Sequence, residues 1–128
     1  MTPLSTKEIL SRTADLFMRP DSWGQIHFAT DKKGRPVEIG SKLATRWCLD
    51  GALVRIATED VMAVSDGLDA DEYASLIAPR MAAVETAKGL IRSIVGENPR
   101  LWNDAFERTQ EDVLSVLRMA SARAGSGA

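Results

Sequence analysis

One cysteine, one histidine and a scatter of carboxylates are the side chains in this sequence that could carry chemistry. A cysteine is nucleophilic as its thiolate, so it needs a base or a positive environment beside it. Cys48 with His27 is the single pairing that could meet this need, with Asp31, Asp50 or Asp104 as the group that orients the imidazole. Such a set would make a small thiol-dependent or acid–base enzyme. The neighbours of Cys48 argue the other way. Trp47, Leu49, Ala52 and Leu53 surround it in the sequence with apolar side chains, and a thiol in such company fills space and keeps its proton. His27 falls in an alternating stretch where an edge-strand or surface position explains it. The expectation is an inert thiol and no convergent catalytic set.

Other chemistries have weaker footings. Asp66, Asp69, Asp71 and Glu72 form an acidic stretch without the ligand spacing and central glycine of a calcium loop, and helix capping with solvation accounts for them. A single Cys and a single His cannot supply the four soft or imidazole ligands of an ordinary structural zinc site. No glycine-rich phosphate loop, His-Glu-x-x-His pair or Gly-x-Ser-x-Gly elbow occurs, so no metal or cofactor is expected. Lys32, Lys33 and Arg35 cluster where a turn is predicted and could touch phosphate. Sixteen Lys and Arg against eighteen Asp and Glu leave a net charge of −2, and no aromatics interleave the cluster, which disfavours nucleic acid as a partner. Trp102, Asn103, Asp104 and Arg108 are the last distinctive group. Asn103 or Asp104 could accept orphan helix amides while Trp102 anchors the entry to the final helix; alternatively the four form a recognition surface, since Trp and Arg are common interface anchors.

The elements that must position these residues follow from spacing. A composition of 45% hydrophobic and 27% charged residues is that of a folded globular chain, and 128 residues suit one domain, read as 1–123 with a frayed tail over 124–128. Ser5 and Glu8 stand at capping-box spacing before an amphipathic run ending at Pro20, with Arg19 in the last turn. Ile26, Phe28 and Thr30 alternate with polar or small residues, which predicts a strand with Ile26 and Phe28 facing inward. A turn over 31–35 and a return strand carrying Val37 and Ile39 complete a hairpin over about 25–40. Residues 43–57 are apolar almost all round and predict a central buried helix, in which Gly51 admits a neighbouring backbone and Arg46 can pair with Asp50. A helical stripe from Tyr73 to Ile94 is capped by Asp69 or Asp71 and by Gly96, and Pro79 predicts a break near Ala78. Thr109 with Asp112 opens the last helix. The fold class is therefore α+β, mostly α: four to five helices around the 43–57 helix, with one small hairpin. No apolar run approaches the roughly 18 residues of a membrane span, and no secretory leader precedes the first helix, so a cytoplasmic protein without a membrane partner is expected.

The Gly34-Arg35-Pro36 turn, the segment Trp47-Cys48-Leu49-Asp50-Gly51-Ala52-Leu53 and the closing Trp102-Asn103-Asp104…Arg108-Thr109…Asp112-Val113-Leu114 pattern together resemble an uncharacterised family of small bacterial and phage proteins. Its members share a Cys-x-x-Gly-Ala helix and a C-terminal Trp-Asn-Asp…Arg-Thr motif. The resemblance implies architecture and brings no established activity; it makes Cys48, Gly51, Trp102, Asn103, Asp104 and Arg108 the first positions to test. The expectation for function is a non-enzymatic protein-interaction or regulatory module of phage or mobile-element origin, working through a protein partner or self-association. Cys48 with His27 as an enzyme, and Lys32, Lys33 and Arg35 as a nucleic-acid contact, are the alternatives.

Overall fold

Capping boxes open helices where their spacing puts them. In the computed structural model, which describes residues 1–125, Ser5 Oγ accepts the Glu8 amide at 3.1 Å and the Ser5 amide donates to Glu8 at 3.0 Å, starting α1 (Thr6–Leu16). Asp69 and Glu72 make the same reciprocal pair ahead of α3 (Ala70–Val95), and Thr109 with Asp112 does so ahead of α5 (Gln110–Gly125). Each pair satisfies amides that no intrahelical carbonyl can reach. Gly96 ends α3 at φ +79°, the left-handed cap that its lack of a Cβ permits. α1 stops at Leu16, so Arg19 lies beyond its last turn. Ala124 and Gly125 belong to α5 rather than to a frayed tail, and the rest of that tail lies outside the described residues.

Two expectations about helices need correction. Pro79 does not break the long stripe: α3 runs unbroken for 26 residues. Pro79 and Ser75, whose carbonyl loses its partner, are both exposed, so water replaces the missing bond. The buried helix does not begin at residue 43 either. Leu43 is exposed, Arg46–Trp47 is a strand, and α2 spans Leu49–Met62 with Cys48 as its N-cap. Arg46 therefore cannot sit one helical turn from Asp50. The apolar character of 43–57 comes from a strand end and a helix start, both of them buried.

The small sheet pairs β1 (Ala29–Thr30) with β2 (Arg46–Trp47) antiparallel, in the register Ala29 to Trp47 and Thr30 to Arg46. The 36–39 segment lies on the other side of β1, where Thr30 bridges Pro36 and the Val37 amide donates to the Ala29 carbonyl at 3.1 Å. The inward phase is shifted by one: Ala29 is buried, whereas Ile26 and Phe28 face solvent. The Phe28 backbone lies directly on α2 at Gly51, and the Ala29 side chain that follows it is buried.

The hydrophobic core joins α1, α2, α3 and α5, with Ile9, Leu10 and Phe17 of the first segment meeting Leu49 and Leu53, Val84 and Ile91, and Val113 and Leu117. A short α4 (Pro99–Asn103) seats Trp102 against this core; Pro99 opens it and Asn98 Oδ1 caps it at 2.9 Å. One charged group penetrates the packing. Arg80 is 1% exposed, forks onto both carboxylate oxygens of Asp60 at 3.0 and 2.7 Å, and donates to the Leu76 carbonyl.

Candidate functional site

Cys48 sits at a helix N-terminus, a position that ordinarily activates a thiol. Its surroundings reverse the effect. The residue is 3% exposed, and Sγ accepts the Gly51 amide at 3.3 Å as the N-cap acceptor of α2. Burial pushes the thiol up to about 11; the Gly51 amide opposes that, while the charges of Asp50 and Asp104 add to it. His27 is exposed on the loop before β1. The thiol is buried, but Cys48 caps the helix rather than lying within it, and the charges of Asp50 and Asp104 act on it.

Asn103 is the hub of the second group. It is 1% exposed, and its Oδ1 accepts from Trp23 Nε1 at 2.7 Å and from the Leu49 amide at 3.1 Å. Its Nδ2 donates to the Gly24 carbonyl at 3.2 Å and to Asp104 Oδ1 at 2.9 Å. Asp104 Oδ1 in turn accepts the Ile26 amide at 2.9 Å, and Gln25 Nε2 donates to the carbonyls of Asn103 and Ala105. One side chain therefore caps the first turn of α2 from α4 and fastens the 23–26 loop to both. Trp102 is buried, with Arg108 stacked over its ring at 4.1 Å; Arg108 Nε donates to the Trp102 carbonyl at 2.9 Å and its guanidinium lies 3.9 Å from Asp112. The Asn103 and Trp102 side chains face inward, and the accessible surface here belongs to their neighbours.

Those neighbours include exposed apolar side chains on two hydrogen-bonded segments, termed the seam. Ile26, Leu101 and Phe106 are 65%, 67% and 99% exposed, and Phe28 is partly exposed beneath the Arg100 guanidinium at 5.2 Å. Ile26 has φ +77° and sits at the centre of a three-residue turn closed by the His27 amide on the Gln25 carbonyl. A β-branched residue in that region is a strained outlier worth roughly 1–3 kcal/mol. The Asn103–Asp104 clamp holds the strain in place. Sequence alternation pointed Ile26 inward; the signal that could have found the turn is Gly24-Gln25, a weak strand pair directly after a tryptophan.

A cleft of about 480 Å³ opens beside the same loop, between the start of α2, the middle of α3 and the head of α4. Phe28, Val54, Met81 and Val84 line it together with Asp50, Lys88 and Arg100. Asp50 is 9% exposed, yet its Oδ1 is buried with no hydrogen-bond partner among the described residues, and the Lys88 ammonium stands 3.7 Å from Oδ2. Burial raises its pKa, against the lowering pull of Lys88 and Arg100. Lys88 also meets Glu85 at 3.3 Å. At the turn after β1, Asp31 accepts the amides of Lys33 and Arg35 and the Arg35 guanidinium, all at 2.9 Å. The Arg35 amide above all holds the Asp31 carboxyl below its usual range. Arg35 is thus committed to the turn, while Lys32 and Lys33 share a shallow hollow with Lys42.

Among the described residues, no three His, Cys, Asp or Glu side chains converge as metal ligands, and no helix is long and apolar enough to cross a membrane. A family of unknown function, DUF6197, matches residues 1–123. The chain belongs to this family. No curated protein and no solved structure matches it. In this DUF6197 chain the two motifs that carry the resemblance meet in space: the Cys-x-x-Gly-Ala segment starts α2, and the Trp-Asn-Asp segment caps that start through the Asn103 carboxamide. The motifs describe one joint of the fold.

Proposed function

We propose that the chain is a non-enzymatic protein-interaction module whose contact surface is the apolar seam of Ile26, Phe28, Leu101 and Phe106, with a second copy of the chain as the partner. The exposure of that seam carries the reading. Four large apolar side chains on two hydrogen-bonded segments gain nothing from water, and contiguous exposed apolar groups mark contact surfaces. The clamp beneath keeps the loop in its bound shape before the partner arrives, which limits the ordering cost of association. A net charge of −2 gives two copies little mutual repulsion. The surface needed is about 800 Å² per partner, with the seam as its dry centre.

Thiol catalysis by Cys48 with His27 and Asp104 has less support, since the thiol is buried and holds its proton near neutral pH. A phosphate contact through Lys32, Lys33 and Arg35 has less support because Arg35 is tied to Asp31.

The test is sedimentation across about 10 μM to about 1 mM, a range that brackets weak dimers. The wild type should gain mass with concentration. The double variant Leu101→Ser, Phe106→Ser should stay monomeric with its melting temperature unchanged, because neither side chain contributes to the core. A wild type that is monomeric throughout refutes self-association.

A further inference from the structure

The cleft beside the seam contains charges that the fold pairs only loosely. Lys88 is shared between Asp50 at 3.7 Å and Glu85 at 3.3 Å, and the closer contact is to Glu85. What remains open is one group of each sign. Among the described residues, Asp50 Oδ1 is buried without a donor, and Oδ2 has Lys88 at ion-pair distance, 3.7 Å. The Arg100 guanidinium donates no hydrogen bond among the described residues and rests on the Phe28 ring. A buried carboxylate without donors costs free energy, and native proteins rarely retain one without a reason. Val54, Met81 and Val84 give the same cleft an apolar lining. The volume, about 480 Å³, falls in the range of sites for small organic ligands.

We propose that this cleft binds a small zwitterion with an apolar side chain, its ammonium group on Asp50, its carboxylate on Arg100 and its side chain on the Val54–Met81–Val84 lining. With its carboxylate turned toward the cleft, Asp50 takes from an ammonium the charge-assisted bond that Oδ1 lacks, and a carboxylate matches the planar fork of an arginine. A monopolar ligand would leave one of the two groups unsatisfied. Free amino acids and the ends of very short peptides share this chemistry.

The experiment is a titration of the full-length, isotope-labelled chain followed by amide chemical shifts. The probes are L-phenylalanine, glycyl-L-phenylalanine, 3-phenylpropanoate, which lacks the ammonium, and phenethylamine, which lacks the carboxylate. One of the two zwitterions should shift the amides of residues 50–54 and 84–88 and bind at least about tenfold more tightly than either monopolar analogue, since each lost charged contact is worth about 1.4 kcal/mol or more. Whichever zwitterion binds tighter identifies the free amino acid or the peptide as the source. Asp50→Asn and Arg100→Gln should each erase the preference, with Asp50→Asn melting no lower than the wild type. No shift in the cleft at about 10 mM probe (a weak-site ceiling of roughly 3 kcal/mol), or equal binding of zwitterions and monopolar analogues, overturns the proposal. Phe28 belongs to both surfaces, but Leu101 and Phe106 do not line the cleft, so the double variant at those two positions should keep the zwitterion preference whether or not the chain self-associates.

Discussion

Replacing Asn103 separates a folding role from a recognition role, and the structure gives the size of the effect. Asn103→Ala strands three groups: the Leu49 amide in the buried first turn of α2, the Trp23 indole N–H and the Gly24 carbonyl. Leu49 is fully buried, and Cys48 cannot take over its amide because Sγ already serves Gly51. Trp23 and Gly24 are half-buried and regain part of their hydration. With a fully buried unpaired group at about 1–3 kcal/mol and the other two near the low end, the loss should be roughly 3–5 kcal/mol. Against a typical total of about 5–15 kcal/mol, and a urea slope of about 1–3 kcal/mol per molar, the unfolding midpoint should fall by roughly 2 M. Asn103→Asp refines the argument. It keeps an acceptor for Trp23 and Leu49 but turns a second oxygen toward the Gly24 carbonyl and Asp104. Two carboxylates at that spacing raise the pKa of the introduced group above its unfolded value. The variant should therefore be least impaired below about pH 4, where the group is protonated in both states, and lose ground as pH rises through the raised folded value. Urea titrations of the three proteins at several pH values read both effects. A loss below about 1 kcal/mol for Asn103→Ala would show that the hub is dispensable for folding and would return Trp102, Asn103, Asp104 and Arg108 to recognition.

Three other perturbations test the same physics. Gly51→Ala places a Cβ against the Phe28 carbonyl oxygen, and backbone cannot yield as a flexible side chain would; a loss above about 3 kcal/mol, or no soluble protein, is expected, and an unchanged thermal melt would contradict the close approach. Cys48, with its thiol near 11 and 3% exposure, should resist iodoacetamide in native protein at about pH 8 and alkylate only after denaturation; rapid native alkylation, followed by mass spectrometry, would restore the thiol-enzyme reading. Asp60→Ala leaves the buried Arg80 guanidinium with only the Leu76 carbonyl, at a cost of roughly 2–4 kcal/mol given that Asp60 is half open to water. Because the Arg80 hydrogen bonds hold the Asp60 carboxyl below its usual range, this contribution should be complete above about pH 4 and drain away as pH falls through the lowered value. Acid titration should accordingly separate wild type from variant less and less toward low pH, and a constant gap would contradict the pairing.

Signals confined to a few adjacent residues were legible in the sequence. The pairs Ser5 with Glu8 and Thr109 with Asp112 name two helix starts because the cap needs only side chains three residues apart, whereas Asp69 and Asp71 both fit as the cap of α3 and the Asp69–Glu72 box decides between them. Gly51 was legible too, since a glycine in an apolar segment signals a close backbone, although the partner, Phe28, could not be named. The β segment was harder. Ladders of two residues carry almost no periodicity, and the alternation at 26–30 was one residue out of phase because Ile26 occupies a left-handed turn instead of a strand. Pro79 misled because its penalty depends on whether the orphaned carbonyl meets water, which is a tertiary fact. Arg80 left a trace that local reading passed over: Ile77, Arg80, Val84, Ala87 and Ile91 share one helical face, and a cation on that face implies a buried partner. The pairing of Asp50 with Lys88 left none, as two residues 38 positions apart meet only when α2 packs on α3.

The joint between the Cys48–Ala52 and Trp102–Asp104 segments constrains where function can reside. Cys48, Gly51 and Asn103 are consumed by one another's neighbours: the thiol caps Gly51, the glycine admits the Phe28 backbone, and the carboxamide caps Leu49 while binding Gly24 and Trp23. A residue whose hydrogen-bonding capacity is spent inside the fold has little left for a ligand. What the joint delivers is a rigid loop that carries Ile26 in a strained turn on one side and Phe28 at the mouth of a charged cleft on the other. Rigidity of this kind is worth most where a surface must be preorganised. The two segments thus hold the scaffold, and binding is assigned to the residues they present: Leu101 and Phe106 on the seam, Asp50 and Arg100 in the cleft.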